Sequence, residues 1–483
     1  MNLMIIDLFY LLAALLFVLG IKGLTRPRTA VCGNTLAAVG MLIAVVVTLL
    51  DRQVISYELI ALGIGLGAVI GFLMAKKVQM TAMPQMVALL NGFGGGASLG
   101  VAGASYFAVA AVVGGSAVTA GSAVTGSAAE ITGAEPLVTQ VAVALTVLIG
   151  AVTLSGSAVA FAKLQELISG QAIGFKGMKF LNLGLLLAAL AVAYAMVAGA
   201  AGPTAFIGLV VLALLLGVTL VMPIGGADMP VVIALLNSYS GIAAAAAGFI
   251  MGNTVLIVSG ALVGASGIIL TQIMCVAMNR SLLNVLFGTM AQGSGETVDA
   301  DEVYAGKVKS SSPDEVGMML ETARRVVIVP GFGLAMAQAQ HAVRDLSDTL
   351  ESRGIEVEYA IHPVAGRMPG HMNVLLAEAE VPYEKMRTME EANPTFEQTD
   401  VVIVIGANDV TNPMAREDKG SPIYGMPILN VDKAKTVVVV KRSLSAGFAG
   451  LPNPLFAMDN TLMLFGDGKK AIMELTAALN EAA

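Results

Sequence analysis

The stretch Val326-Val327-Ile328-Val329-Pro330-Gly331-Phe332-Gly333-Leu334-Ala335-Met336-Ala337-Gln338-Ala339-Gln340 sets four consecutive β-branched residues before a glycine corner and a run of small residues. That order suits a parallel strand buried on both faces, a tight turn and a helix start, which together aim backbone N–H groups at an anion. Taken alone the motif is weak, because Gly-x-Gly after an apolar run is common and Met336 stands where a third small residue is usual.

Outward from this stretch, strands and helices alternate. Strands are expected at 325–330, 355–361, 400–406, 436–441 and 461–465, and helices at 334–353, 370–379, 383–391 and 469–481. The pattern is that of an α/β doubly wound parallel sheet of the Rossmann type, whose ligands lie beyond the carboxyl ends of the strands. Three further loops there carry chemistry. Gly406-Ala407-Asn408-Asp409-Val410 offers small and amide-bearing residues able to hydrogen-bond an amide or a ribose. Lys441-Arg442-Ser443 puts two adjacent cations at the end of an apolar strand, which favours an anion between them over a solvated pair. Val364-Ala365-Gly366-Arg367-Met368-Pro369 adds an arginine beside a glycine, suited to a pyrophosphate. Each reads equally as a turn; the four together point to a phosphorylated dinucleotide, with Lys441 and Arg442 on its 2′-phosphate.

Residues 1–280 are of another kind. With 483 residues, 13% of them charged, and a mean hydropathy of +0.81, the chain is too apolar for one soluble globule. Nine runs have roughly the 17–25 apolar residues needed to cross a bilayer, at 4–21, 31–50, 54–75, 84–107, 137–162, 180–200, 203–222, 229–251 and 254–278. The Gly/Ala/Ser/Thr-rich segment 108–128 is read as a loop or half-buried excursion. Nine spans place Lys22, Arg26, Arg28, Lys76, Lys77, Lys163, Lys176, Lys179 and Arg280 on one side and Arg52 alone on the other. Cationic loops face the cytoplasm, so the second half should be cytoplasmic and the N-terminus outside. The first span lacks a basic leader and a small-residue cleavage site, so it is expected to be retained. Gly63-x-Gly65-x-Gly67-x-x-x-Gly71 and Ala243 to Gly248 are expected to let helices pack closely. Residues 281–320 read as a connector between this membrane domain and a nucleotide domain over 321–483.

Polar residues inside spans are the informative ones. Asn91, Ser157, Asn237, Ser238 and Ser240 lie in them, and Asp228 stands at the start of one, where capping a helix is as good an account as a functional role. Asn237 follows nine residues later, about 13 Å along a helix. All three histidines fall in the second half, so a proton carrier within the spans has to be a carboxylate, water or a partner's group. Residues 1–280 carry 10 Lys and Arg against 7 Asp and Glu, and the remainder 17 against 27. The acidic second half argues against nucleic acid as a partner. Cys32 and Cys275 both lie in apolar runs and imply no disulfide framework.

Longer strings carry a resemblance: Ile224–Asn237 (IGGADMPVVIALLN), Gln272–Ser281 (QIMCVAMNRS), His362–Glu378 (HPVAGRMPGHMNVLLAE), Gly406–Val410 (GANDV) and Lys441–Gly450 (KRSLSAGFAG). Over nearly its whole length the chain resembles the β subunit of the proton-translocating NAD(P) transhydrogenases. The resemblance implies hydride transfer between NAD(H), held by a partner α subunit, and NADP(H), held here, coupled to proton translocation and run mainly toward NADPH. It implies a bacterial-type inner membrane, a dimer of αβ units, further α-subunit membrane helices and no metal. NADP(H) would be lined by Phe332 with Gly331 and Gly333, by Val364-Ala365-Gly366-Arg367-Met368-Pro369, by Gly406-Ala407-Asn408-Asp409-Val410 and by Gly425-Met426. Lys441-Arg442-Ser443-Leu444-Ser445-Ala446-Gly447-Phe448 and Asp467-Gly468 would complete it. Asp409 would lie near the nicotinamide and take part in coupling, and Gly447-Phe448 would form a lid. The cofactor would lie reversed relative to the usual Rossmann arrangement, with the glycine corner off the pyrophosphate. Asn91 stands where part of the family has a relay histidine, and Phe448 where a tyrosine is frequent. Asn91, Ser157 and Asn237 would border a hydrated path ending at Asp228, with Arg280 passing the change on.

Two other classes compete. A nucleotide-gated channel or secondary transporter calls for a filter-like interruption in the spans, and a membrane-anchored dehydrogenase for a catalytic His or Lys and far fewer spans.

Overall fold

The computed structural model describes residues 3–24, 27–50, 57–113, 136–175, 177–198, 202–287, 303–304, 306–421, 423–447 and 449–481. Among them are nine helices long and apolar enough to cross a membrane. These are α1 (Leu3–Leu24), α2 (Pro27–Leu50), α3 (Tyr57–Lys77), α4 (Met83–Val113), α5 (Pro136–Leu164), α6 (Met178–Val197), α7 (Pro203–Val221), α8 (Met229–Met251) and α9 (Thr254–Ala277). They fall where the apolar runs place them. Segment 108–128 enters α4 as far as Val113, and the rest of it lies outside the described residues.

Glycine decides which helices touch. A Cβ on Gly241 of α8 would lie 2.5 Å from the Gly264 nitrogen of α9, and one on Gly260 of α9 2.4 Å from the Ala245 nitrogen. A Cβ on Gly95 would lie 2.7 Å from the Gly150 carbonyl oxygen between α4 and α5, and one on Gly217 2.5 Å from that of Val152 between α7 and α5. Without a water-driven force between spans, such backbone approach supplies the dispersion contact that holds them. Gly248 packs as expected, its virtual Cβ 2.7 Å from Ile257. The α3 stripe does not: no residue of α3 is buried, and a Cβ on Gly63, Gly65, Gly67 or Gly71 would meet nothing within 4 Å.

The second half contains a six-stranded, wholly parallel sheet of order β3-β2-β1-β4-β5-β6. Its strands are β1 (Arg325–Pro330), β2 (Glu356–Ile361), β3 (Met386–Thr388), β4 (Val401–Ile405), β5 (Thr436–Lys441) and β6 (Thr461–Phe465). Two apolar clusters, one containing Val326, Ile328 and Leu346 and the other Val327, Val329 and Phe396, take alternate residues of β1 and cover the two faces. The helix expected at 383–391 is not formed. Pro382 leads into one 3-10 turn, Met386–Thr388 pair with β2 as an edge strand, and Thr388 caps the short helix Met389–Ala392 through a capping box with Glu391. The helix expected over 334–353 is two: Phe332–Met336 and Gln340–Ser352. In the connector stretch, Ser310 bridges Met463, Met463 N–H donates to Lys309 O at 2.7 Å, and helix Pro313–Glu321 follows.

Candidate functional site

The strand order reverses direction between β1 and β4, so their carboxyl ends frame the crevice. There the glycine corner serves packing. Gly331 N–H donates to Ile405 O and Gly333 N–H to Gly406 O, both at 2.9 Å. A Cβ on Gly331 would lie 2.4 Å from Ala407, and one on Gly406, whose φ is +68°, 2.4 Å from Gly333. These two amides are therefore spent on the neighbouring strand and are not aimed at an anion. Met336 is tolerated because it is exposed to solvent.

Past β4, Asn408 is clamped. Asn453, wholly buried, donates from Nδ2 to Asn408 O at 3.2 Å and to Asn408 Oδ1 at 3.0 Å, and Thr411 donates from its backbone and its hydroxyl to Asn408 O. With Oδ1 engaged the amide's orientation is set, and Asn408 Nδ2 is a buried donor without a protein acceptor. A carbonyl or hydroxyl oxygen would satisfy it. Asp409 Oδ2 accepts from Ala449 N–H at 3.0 Å, and a Cβ on Gly447 would strike Asp409 Oδ1 at 2.5 Å. Gly447 and Ala449 thus come this close to the carboxylate only because residue 447 is glycine; Phe448 lies outside the described residues.

At the end of β5 the two cations part company. Lys441 Nζ donates to Ser445 O and stands 5.3 Å over the Phe456 ring. Burial pulls its pKa below the usual lysine range, against the opposing charge of Asp409. Arg442 pairs with Asp467 at 2.5 Å. That bond holds the Asp467 carboxyl below the usual carboxylate range. Ser443 and Ser445 hydroxyls meet at 2.7 Å, while Leu444 packs inward. Gly468 begins the closing helix, Gly468–Glu481, beside Ile405. The loops after β4, β5 and β6 therefore bring Asn408, Asp409, Lys441, Arg442 and Asp467 to one end of the sheet.

The loop after β2, at the same edge of the parallel sheet, also reaches the membrane half. His362 Nε2 donates to Pro427 O at 2.8 Å and its Nδ1 accepts from Val364 N–H; His371 Nδ1 accepts from Arg367 N–H. Burial lowers both imidazoles to about 4, so both are neutral at neutral pH. They hold a turn in which Gly366 has φ +116°, where a Cβ would strike His371. The turn presents Arg367 to the membrane half. Arg367 donates to Leu164 O at 3.1 Å and to Glu166 Oε1 at 3.4 Å, with its guanidinium 4.3 Å from the Phe332 ring. Met368 is buried in a cluster with Leu164, Ile224 and Cys275, and Val364 packs against it. Two more contacts cross the junction: Gln338 Nε2 to Gln79 Oε1 at 2.8 Å, and Asn279 Nδ2 to Tyr424 O at 2.6 Å, beside Gly425 and the buried Met426. Of the four described non-glycine residues with positive φ, Glu166, Asn279 and Gln338 all make these contacts. Left-handed backbone is strained and persists where contacts impose it. Glu166, Gln79 and Tyr424 carry no sequence signal.

Below the junction, Asp228 decides between its two readings. It makes no side-chain cap bond to α8; its carboxylate, 3% exposed, takes both oxygens to Arg280 Nη1 at 3.2 and 3.1 Å. Deeper, Asn91 donates to Ile233 O at 3.3 Å. The buried Ser157 Oγ has no protein partner, and a Cβ on Gly92 would lie 3.1 Å from the Ser157 Cβ. Asn237 is half-buried on α8, which meets α4 where Ser240 faces Gly94. Helices α4, α5 and α8 thus carry Asn91, Ser157 and Asn237 within one bundle. Lys163 is no loop cation: it is buried and donates to the carbonyls of Gln171, Met222 and Ile224.

Comparison with known proteins agrees. The family described as NAD(P) transhydrogenase beta subunit matches residues 6–478. Two relatives named NAD(P) transhydrogenase subunit beta, from Rhodospirillum rubrum and from one designated strain of that species, are each 48% identical over 471 residues, covering 98% of this chain and 98% of the relative.

Proposed function

The chain belongs to the NAD(P) transhydrogenase β-subunit family, and from that premise we propose that it binds NADP(H) and couples hydride exchange with NAD(H) to proton translocation. NAD(H) is held by a partner α subunit. The complex is a dimer of αβ units in a bacterial-type inner membrane, and the parallel-sheet domain is cytoplasmic. Bound NADP(H) supplies the nicotinamide carbon that gives or accepts hydride, a step that needs no acid or base from the protein.

The carrying observation is the grouping of Asn408, Asp409, Lys441 and Arg442 at one end of the sheet. Asn408 Nδ2 and Asp409 suit the nicotinamide end, and Lys441 and Arg442 the 2′-phosphate, once Arg442 gives up Asp467. Arg367 and Met368 engage the membrane half, which supports a role for the loop after β2 in relaying events between cofactor and spans. The proton's share falls to Asn91, Ser157 and Asn237, with Asp228 and Arg280 at the cytoplasmic mouth; Asp228 is a buried carboxylate there, and Arg280 sits next to Asn279, which holds Tyr424. Coupling then consists of a change in NADP(H) affinity with proton position.

The test is transhydrogenation by the αβ complex in proteoliposomes, with internal pH followed. Asn237→Leu and Asp228→Asn should each abolish proton movement and slow coupled turnover. Intact pumping in both would refute the path.

A further inference from the structure

Two supports of the candidate nucleotide site converge on a residue outside it. Asn453, which clamps Asn408, has its backbone N–H donated to the hydroxyl of Tyr304 at 2.9 Å. Tyr304 precedes the first strand by some twenty residues and lies 149 positions from Asn453. Its ring stacks on Phe456, with centroids 6.3 Å apart and planes at 18°. Phe456 is wholly buried, and its ring carries Lys441 Nζ at 5.3 Å. One side chain therefore touches the residue under the amide end of the site and the residue under its cationic end.

The clamp leaves little slack. Asn453 is 0% exposed, and its Oδ1 accepts Leu455 N–H at 3.1 Å, so both ends of its amide are committed. Asn408 adopts φ −143°, ψ −82°, outside the favoured basins, and needs those bonds to stay there. Without the Tyr304 hydroxyl a buried N–H loses its acceptor, and the least costly relief is a shift of Asn453 toward another one. That shift would release Asn408.

We infer that Tyr304 is a positioning residue for NADP(H): its hydroxyl, through Asn453, fixes Asn408, and its ring, through Phe456, fixes Lys441. The inference rests on the reading that these loops hold NADP(H). Tyr304 itself touches no cofactor.

The test uses the full-length chain in detergent, with NADPH and NADP+ binding measured by calorimetry and the melting temperature of the nucleotide-free protein measured alongside. Tyr304→Phe keeps the stacking and removes the hydroxyl; it should weaken NADPH binding about tenfold while the melting temperature stays within a few degrees. Asn453→Ala should weaken binding at least as much, and adding Tyr304→Phe to it should cost little more, because the two act in series. Wild-type NADPH affinity in Tyr304→Phe, or a penalty that adds in full to that of Asn453→Ala, would overturn the positioning role. If Tyr304→Phe gives no folded protein, Asn453→Ala alone decides, and undiminished affinity there overturns it. A wild-type chain that binds no NADPH would instead sink the reading on which the role rests.

Discussion

Two Arg–Asp pairs, one in each half, differ in nearly everything but composition. Asp228 and Arg280 meet at 3.1 Å where the spans adjoin the sheet domain, with side chains 3% and 24% exposed. Asp467 and Arg442 meet at 2.5 Å beside the sheet, 40% and 72% exposed. The first pair has shed its water, so removing one partner strands a charge where little can solvate it. The second is bathed and screened, and opening it costs about 0–1 kcal/mol. A pair of the first kind suits a position that must be held in one of two states. The second suits an arginine that has to turn from a protein carboxylate to an arriving phosphate. On the proposed reading the same chemistry is a fixture in one region and a placeholder in the other.

The sharpest way to break that contrast is Arg280→Ala, which leaves the Asp228 carboxylate buried and alone. Proton-coupled transhydrogenation should fall to background, and stability of the complex should drop by roughly 3–5 kcal/mol in thermal or denaturant unfolding. A neutral outcome would place Arg280 on the dispensable side of the comparison. Acid tests the buried imidazoles that shape the junction turn. His362 and His371 titrate near 4 in the folded chain against about 6.5 unfolded. Between those values the unfolded chain takes up more protons, so stability rises with pH across that window. The contribution is complete above about pH 6.5 and lost as pH falls toward 4, on the order of 3 kcal/mol per imidazole. The melting temperature of the full chain should therefore fall between pH 7 and 5, and a flat profile would contradict the burial. Arg442→Ala should leave melting unchanged and weaken NADPH binding about ten- to thirtyfold, by loss of one charge-assisted contact. Asp467→Asn should do least: a stability change within about 0.5 kcal/mol, and NADPH binding equal or slightly tighter because Arg442 is released.

Legibility followed the same division. The spans were readable because crossing a bilayer demands an unbroken apolar length, and five of the six strands because sheets buried on both faces demand β-branched runs such as Val401–Ile405. Met386-Arg387-Thr388 escaped notice: a three-residue strand at the sheet's edge has one pairing partner and no apolar signature. In the site, the loops after β1, β4 and β5 were readable from their places at strand ends. What the glycines do was not, because the N–H groups of Gly331 and Gly333 find their acceptors some seventy residues away. Arg367 could be seen as a cation beside a glycine but not as a contact to Leu164 and Glu166, 203 and 201 positions distant. Tyr304 and Asn453 gave no signal because each acts through contacts to residues distant in sequence.

The most direct test of the account is calorimetric titration of the full-length chain with NADPH and with NADH. Two cations on a 2′-phosphate predict NADPH binding at least about 100-fold tighter than NADH. Equal affinities, or a preference for NADH, would contradict the assignment of Lys441, Arg442 and the nucleotide they serve.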